Sequence, residues 1–262
     1  MTRAALPWTL AVLLVLTAIA YPLTAGGARD AVSWTIVLLG AALSGIHAGL
    51  SRGARTGAVV LLAVAATAVL FEAVGLATGF PYGTYTYSDG LGPTLLGVPF
   101  LVPLAWLMMA WPSRLLAERL TREVRPERRR AARVVTAAAV FAAWDVVLDP
   151  QMVQAGYWTW AHPTPSLPGI DTVPLTNLGG WLLAGLVLMA QLDLLVPPTA
   201  PERLRTDDGP PLLVLAWMTL GGVLAHAGWL GLPGSAAWGA VLAVPVLAAL
   251  GLQLRRAAAL RR

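Results

Sequence analysis

"TGAVVLLAVAATAVLFEAVGLATG", residues Thr56–Gly79, is a stretch of 24 residues with a single ionisable side chain, Glu72. Its length exceeds the roughly 20 apolar residues that a helix needs to cross a bilayer core of about 30 Å. We therefore predict a transmembrane helix here, with one carboxyl group inside the membrane.

Similar apolar runs recur along the whole chain. The sequence is 57% hydrophobic and 12% charged, with a mean hydropathy of +0.70, which is outside the range of soluble globular proteins. We predict an all-α, polytopic membrane helix bundle of about eight transmembrane helices, with residues 1–262 forming a single integral membrane domain. The eight predicted spans are Leu6–Leu23, Ala31–Leu50, Thr56–Gly79, Thr94–Trp111, Ala131–Asp149, Asn177–Val196, Pro211–Leu230 and Ser235–Leu254.

The basic residues indicate how the bundle is oriented. All 18 are arginines, and 17 of them lie before the first span, after the last one or in alternate connections, so that the other face keeps only Arg29. By the positive-inside rule both termini are predicted to be cytoplasmic, in a multi-pass protein of the cell membrane. The connection Arg114–Arg133 is expected to be a solvated surface that extends as a short charged helix. A signal peptide cleaved after Ala18–Ala20 is an alternative that would leave the remaining topology unchanged.

Two connections on the opposite face, Phe80–Pro93 and Pro150–Thr176, are long and rich in aromatic residues. Connections of this length without regular structure are usually functional or disordered, and aromatic density argues against disorder. Each tyrosine or tryptophan taken singly would also suit an interfacial belt. As a cluster, however, they flank the ends of the spans that carry buried acids.

Three carboxyl groups lie within the predicted spans near that face. A charged side chain costs about 2.5–3.5 kcal/mol at mid-membrane unless it is paired or hydrated. Glu72 lies about two helical turns before the Phe80-Pro81 boundary. Asp145 and Asp149, four residues apart, share one helix face, and Pro150 is predicted to end their helix. We predict that one pocket in the outer half of the membrane collects all three.

Carboxyl groups in apolar surroundings without a basic partner cannot all stay ionised, and one that is kept protonated at neutral pH is a general acid. Structural alternatives remain open. Asp149 would also suit hydrogen bonds to the backbone or to an indole N–H, and Glu72 would suit a hydrogen bond between helices. Asn177 is either the N-cap of the sixth span or a polar partner of the acids.

The residue inventory argues against several other classes of protein. Three histidines and no cysteine leave too few ligands for a di-iron desaturase or a His/Cys metal site. The sequence shows no strand followed by a glycine-rich dinucleotide motif. The pair Asp145 and Asp149 is only a fragment of the aspartate-rich, magnesium-binding motifs of prenyltransferases, on the wrong face. We therefore expect no cofactor and no metal. His162 and His226 could join the pocket, whereas His47 is expected to pack at the inner end.

Three blocks of the sequence resemble a known family. They are "FEAVGLATGFPYGTYTYSDGLGPTLLGVPFLVPLAW" (Phe71–Trp106), "AWDVVLDPQMVQAGYWTW" (Ala143–Trp160) and "GIDTVPLTNLGGW" (Gly169–Trp181). They resemble the membrane-bound carotenoid biosynthesis proteins of CruF type, the carotenoid 1,2-hydratases that include bisanhydrobacterioruberin hydratase. The resemblance covers less than half of the chain. It implies a cofactor-independent hydro-lyase that adds water to the terminal isopropylidene double bond of an acyclic carotenoid, giving a tertiary alcohol.

The resemblance and the chemistry together suggest roles for these residues. Glu72, Asp145 and Asp149 are the catalytic candidates, with Asp145 or Glu72 as the acid and Asp149 as the base that orients water. Aromatic faces would stabilise the carbocation by cation–π attraction. The expected partners are a lipophilic carotenoid substrate, water, membrane lipid and other carotenoid-pathway enzymes, but no nucleic acid. The predicted substrate-binding residues are Tyr82, Tyr85, Tyr87, Trp144, Trp158, Trp160, Asn177 and Trp181.

Two other functions could use the same acids. A carotenoid end-group cyclase or isomerase begins with the same protonation and differs only in whether water is admitted. A proton-coupled small-molecule transporter would be expected to show internal repeats and broken helices near mid-membrane, which the sequence does not show.

Overall fold

The computed structural model describes residues 5–197 and 206–259, which form a polytopic bundle of membrane helices. A 3-10 turn, Tyr21–Leu23, extends the first helix, and a π-helical turn, Trp217–Gly221, joins the seventh helix to the eighth. The helices are α1 (Ala5–Ala20), α2 (Gly26–Arg52), α3 (Ala54–Thr78), α4 (Leu101–Leu120), α5 (Pro126–Gln154), α6 (Leu175–Leu195), α7 (Gly209–Ala216), α8 (Gly222–Gly228) and α9 (Pro233–Ala259).

Six helical segments of the described chain are long and apolar enough to cross a membrane. They correspond to α1 with its 3-10 turn, α2, α3, α5, α6, and the continuous segment from α7 to α8. Helices α4 and α9 lie at the two remaining predicted positions. The count of eight crossings and the cytoplasmic placement of both termini stay predictions. Five of the arginines behind that orientation lie outside the described residues: Arg3, Arg203, Arg205, Arg261 and Arg262.

Helix α4 begins and ends later than the sequence predicts. Residues at the start of the predicted span form a tight hairpin instead, in which β2 (Thr94–Leu95) pairs with β3 (Val98–Pro99). The helix then continues to Leu120 at the centre of the bundle, where it packs against α2, α3, α5 and α7. Because protein surrounds it, its end need not be apolar, and hydropathy alone misplaces its boundaries.

Helix α5 passes through Pro150, where the sequence predicts its end, and continues to Gln154. Proline has no N–H, so the carbonyl of Val146, four residues earlier, loses its helical donor. The Ser235 hydroxyl, at the start of α9, donates to that carbonyl at 3.0 Å. Membrane helices tolerate proline where a neighbouring serine satisfies the freed group in this way.

Helix α4 shows the same arrangement at Pro112. The carbonyl of Met108, four residues earlier, accepts a hydrogen bond from the Ser44 hydroxyl of α2 at 3.2 Å. Both internal prolines at the centre of the bundle are therefore supported by a serine from another helix.

A buried cluster of ion pairs connects the arginine-rich ends of the helices. The sequence predicts a solvated surface for part of this region. Glu118 accepts hydrogen bonds from Arg52 at 2.9 Å and from Arg114. Arg114 also donates to the carbonyl of Val196 after α6, at 2.8 Å. The side chains of Arg52 and Arg114 are only 4% and 2% exposed, so both charges depend on Glu118 as a partner.

Other polar residues near these helix ends are also paired. His47 is buried, as expected for a packing residue, and its Nδ1 accepts a hydrogen bond from the Trp111 indole at 3.0 Å. Asp193 pairs with Arg130 and Arg133.

Replacing Glu118 with alanine is expected to destabilise the protein by about 3–5 kcal/mol, because the change leaves two buried guanidinium groups without a counter-charge. The measurement is the free energy of unfolding in mild detergent. Glu127→Ala is the matched control, because Glu127 is exposed on the first turn of α5. We expect this control to lower the free energy of unfolding by less than about 1 kcal/mol. Equal losses in the two variants would contradict a structural role for the ion cluster.

Candidate active site

A small sheet joins the two aromatic connections at the end of the bundle opposite the ion cluster. Strand β1 (Tyr85–Tyr87) pairs antiparallel with β4 (Trp158–Trp160), which sets Tyr85 opposite Trp160 and Tyr87 opposite Trp158. The sequence predicts no strands here, because segments of three residues are too short to give a periodic signal. The pairing brings residues from two distant parts of the chain above the ends of α3 and α5.

A cavity of about 420 Å³ lies below this sheet and between the helices. Glu72 and Asp149 line it, together with all eight of the predicted substrate-binding residues. Ten of the eleven predicted site residues therefore border one space; Asp145 is the exception. The eight are Tyr82, Tyr85, Tyr87, Trp144, Trp158, Trp160, Asn177 and Trp181.

Aromatic rings in mutual contact form much of the cavity wall. The ring centroid of Tyr85 lies 5.4 Å from that of Tyr87 and 5.9 Å from that of Trp160. Deeper in the bundle, Trp181 lies 5.2 Å from Trp106, a residue of α4 that also lines the cavity. The sequence does not single out Trp106, because nothing in its spacing distinguishes it from a packing tryptophan.

Two tyrosines hold the carboxyl group of Glu72, which is 4% exposed on α3. The hydroxyls of Tyr85 and Tyr87 both donate to Oε2, the latter at 2.8 Å. Burial raises the pKa of Tyr85 and of Tyr87, so both phenols stay protonated and remain donors at neutral pH. Because both donors act on one oxygen, neither of them engages Oε1.

Asn177 bridges the two aspartates of α5. Its Nδ2 donates to Oδ2 of Asp145 at 2.8 Å and to Oδ2 of Asp149. All three side chains are buried. Helix α6 begins at Leu175 with Pro174 at its N-cap, so Asn177 lies inside the first turn and its amide is free to bind the acids. Of the two alternatives for Asn177, the geometry favours the polar partner.

Asp145 departs from the prediction of a single pocket. Its side chain borders a separate cavity of about 20 Å³, together with Leu167 and Ile170. Its Oδ1 has no hydrogen-bond partner among the described residues. Residues four apart on a helix differ by about 40° around the axis. Asp145 and Asp149 can therefore meet at one amide while they border different cavities.

Two glycines make room for Tyr82 in the cavity wall. A Cβ atom built on Gly75 would lie 2.9 Å from the Tyr82 ring, and one built on Gly180 would lie 2.6 Å from it. The glycines therefore allow α3 and α6 to approach the connection that carries this tyrosine.

Neither histidine near this end borders the large cavity. His162 is exposed. His226 is buried and pairs with Oε1 of Gln151 at 3.1 Å and with the Ser235 hydroxyl at 2.6 Å. The possibility that these histidines join the pocket is therefore not supported, although Gln151 itself lines it.

A second group of polar residues, which no sequence pattern reveals, lines the cavity beside Gln151. Tyr21, Ser33 and Tyr157 belong to this group. The Tyr157 hydroxyl lies 3.5 Å from that of Ser33 and donates to Asp30 at 2.6 Å. These are single polar residues at the ends of spans, so no spacing pattern reveals them. They give the cavity a polar region that could hold water.

No group of three or more His, Asp or Glu residues within the described ranges is placed to hold a metal ion. The expectation of a site without cofactor or metal stays a prediction.

The chain is similar to known proteins. The chain matches the family model described as "Carotenoid biosynthesis protein" over residues 32–246, a range that includes every predicted site residue. It is 34% identical over 187 residues to the bisanhydrobacterioruberin hydratase of Haloarcula japonica. The match covers 67% of this chain and 59% of that relative, so the chain spans less than two thirds of the relative's length. No solved structure matches the chain.

Proposed function

The chain belongs to the carotenoid biosynthesis protein family, and we propose that it is a carotenoid hydratase of the cell membrane. It adds water to the terminal isopropylidene double bond of an acyclic carotenoid and needs no cofactor. One observation carries the proposal: Glu72 and Asp149 line the same aromatic cavity inside a membrane bundle. The similarity to a bisanhydrobacterioruberin hydratase supports the choice of reaction.

Glu72 acts as the general acid. Its proton is on Oε1, while Oε2 accepts the hydroxyls of Tyr85 and Tyr87. The proton passes to the CH carbon of the terminal double bond, whose π electrons form the new C–H bond. A tertiary carbocation is left on the dimethyl carbon. The two tyrosines stabilise the carboxylate that remains, and a positioned acid of this kind contributes about 10²–10⁴-fold to the rate.

The aromatic wall stabilises the carbocation. Trp106, Trp144 and Trp181 line the cavity, and the ring of Trp181 contacts the rings of the other two. A desolvated cation over a tryptophan gains about 2 kcal/mol. The stabilisation appears only as charge develops, so it favours the transition state over the neutral alkene.

Asp149 acts as the base that orients water. It accepts a proton from a water molecule as the water oxygen bonds to the dimethyl carbon, which gives the tertiary alcohol. Asn177 positions the carboxylate, and Asp145, on the same amide, is a positioning residue. A proton then returns from Asp149 to Glu72. The net change is the addition of one water molecule to the alkene.

Cyclisation or isomerisation would follow from the same carbocation if water were excluded. The polar group at Ser33, Gln151 and Tyr157 on the cavity wall favours the admission of water. Hydration is therefore the preferred outcome.

Expression in a lycopene-accumulating bacterium tests the proposal, with a parallel strain that makes the longer bacterioruberin precursor. Extracted pigments are separated by chromatography and weighed by mass spectrometry. We expect a gain of one or two water masses in at least one strain. An unchanged mass with a shifted retention time would indicate cyclisation or isomerisation instead. Unchanged pigment in both strains, with the protein present in the membrane, would contradict an enzyme of this class and favour transport.

A further inference from the structure

The large cavity is continuous with the lipid-facing surface of the bundle. Several apolar residues border the cavity and are also exposed, so they mark its mouth. Leu23, at the end of α1, is 68% exposed, and Leu224, on α8, is 63% exposed. The other exposed apolar residues at the mouth are Ile19 and Trp229.

The mouth lies between the end of α1 and α8, and a turn that is not α-helical adjoins each of these two edges. The last turn of α1 tightens into the 3-10 turn Tyr21–Leu23, and the π-helical turn Trp217–Gly221 precedes α8. Single π-helical turns of this kind are frequent at functional sites. Gly221 and Gly222 line the cavity, and a Cβ atom built on Gly222 would lie 2.6 Å from the Val147 side chain, so this glycine allows α8 to approach α5 closely.

The size of the cavity requires an open mouth if the substrate is a long polyene. One water molecule takes about 30 Å³ in the liquid. A cavity of about 420 Å³ therefore holds on the order of a dozen heavy-atom groups. This is enough for the end of an isoprenoid chain but not for a whole carotenoid, so the rest of the molecule must lie outside the cavity.

We propose that the mouth between α1 and α8 is the binding site for the polyene chain. The terminal isoprene unit lies in the cavity against Glu72 and Asp149. The chain leaves between Leu23 and Leu224 and continues in the bilayer, where the apolar rim meets lipid. This inference rests on the proposed function. It also implies that a substrate with two reactive ends must leave and re-enter before its second end reacts.

A bulky side chain on the rim tests the proposal. We expect Leu224→Trp to lower the amount of lycopene that co-purifies with the protein by about fivefold or more, because the larger indole ring would occupy part of the opening. Hydration of lycopene falls in parallel. A short isoprenoid alkene of two units with the same terminal group fits inside the cavity, so its turnover should fall much less than that of lycopene. Leu62→Trp is the matched control, since Leu62 is 66% exposed on α3 and does not line the cavity.

The outcomes separate this inference from the proposed function. Loss of bound lycopene in Leu224→Trp but not in Leu62→Trp supports the mouth, even if the wild-type protein adds no water. Equal lycopene binding and equal hydration in the two variants would contradict the mouth as the polyene-binding site. The proposed hydratase activity would still stand. A wild-type protein that hydrates the short alkene but retains no lycopene would contradict the binding site at the mouth in the same way. Should Leu224→Trp fail to accumulate, Leu23→Trp at the end of α1 carries the same expectation.

Discussion

Replacement of Glu72 by glutamine is expected to lower carotenoid hydration by about 10²–10⁴-fold, the usual contribution of a general acid. Glutamine has nearly the same shape, and its carbonyl oxygen can still accept hydrogen bonds from Tyr85 and Tyr87. It cannot release a proton to an alkene. Initial rates of alcohol formation in isolated membranes measure the effect, and co-purified lycopene shows whether the substrate site is intact.

Asp89→Asn is the matched control for Glu72→Gln. Asp89 is an exposed carboxylate on the connection that carries Tyr85 and Tyr87, and it does not line the cavity. We expect its activity to stay within about twofold of wild type. If Glu72→Gln forms alcohol at the wild-type rate, Glu72 is not the general acid, and one of the aspartates of α5 must have that role.

The membrane bundle could be predicted from the sequence because each apolar run carries its own signal. The boundaries of α4 and α5 could not, because they depend on distant partners. Helix α5 continues through Pro150 since Ser235 reaches the carbonyl freed by this proline. The two residues are far apart in the chain, so no local pattern connects them.

The candidate site could likewise be predicted only in part from the sequence. A carboxyl group inside a membrane is expensive, so Glu72, Asp145 and Asp149 stand out in the sequence. The pairing of β1 with β4 and the bridge from Asn177 depend on contacts between distant segments. These contacts decide which acid borders the cavity, and the sequence alone therefore does not assign the roles of the three acids.

The π-helical turn between α7 and α8 bears on the transporter alternative. A transporter of this kind would be expected to show a helix broken near mid-membrane. Around this turn, Ala216, Gly221 and Gly222 all keep right-handed helical dihedral angles. The segment is therefore locally widened rather than broken, and it contributes to the wall of the cavity.

Replacement of Asp149 by asparagine is expected to lower alcohol formation by about 10²-fold or more, because the attacking water loses its base. Asp145→Asn is the matched comparison, since both aspartates bind the same amide of Asn177 but only Asp149 lines the cavity. We expect the loss in Asp145→Asn to be about tenfold, because Asp145 does not line the large cavity and acts by positioning its neighbours Asn177 and Asp149.

An experiment in heavy water separates the role of Asp149 from that of Glu72. In Asp149→Asn the acid is intact, so the carbocation still forms and returns to alkene by losing a proton. The recovered lycopene should therefore gain deuterium without gaining a water mass. In Glu72→Gln the carbocation does not form, and the recovered lycopene should stay unlabelled. Unlabelled lycopene from Asp149→Asn would mean that Asp149 takes part in the protonation itself, and the two roles would have to be reassigned.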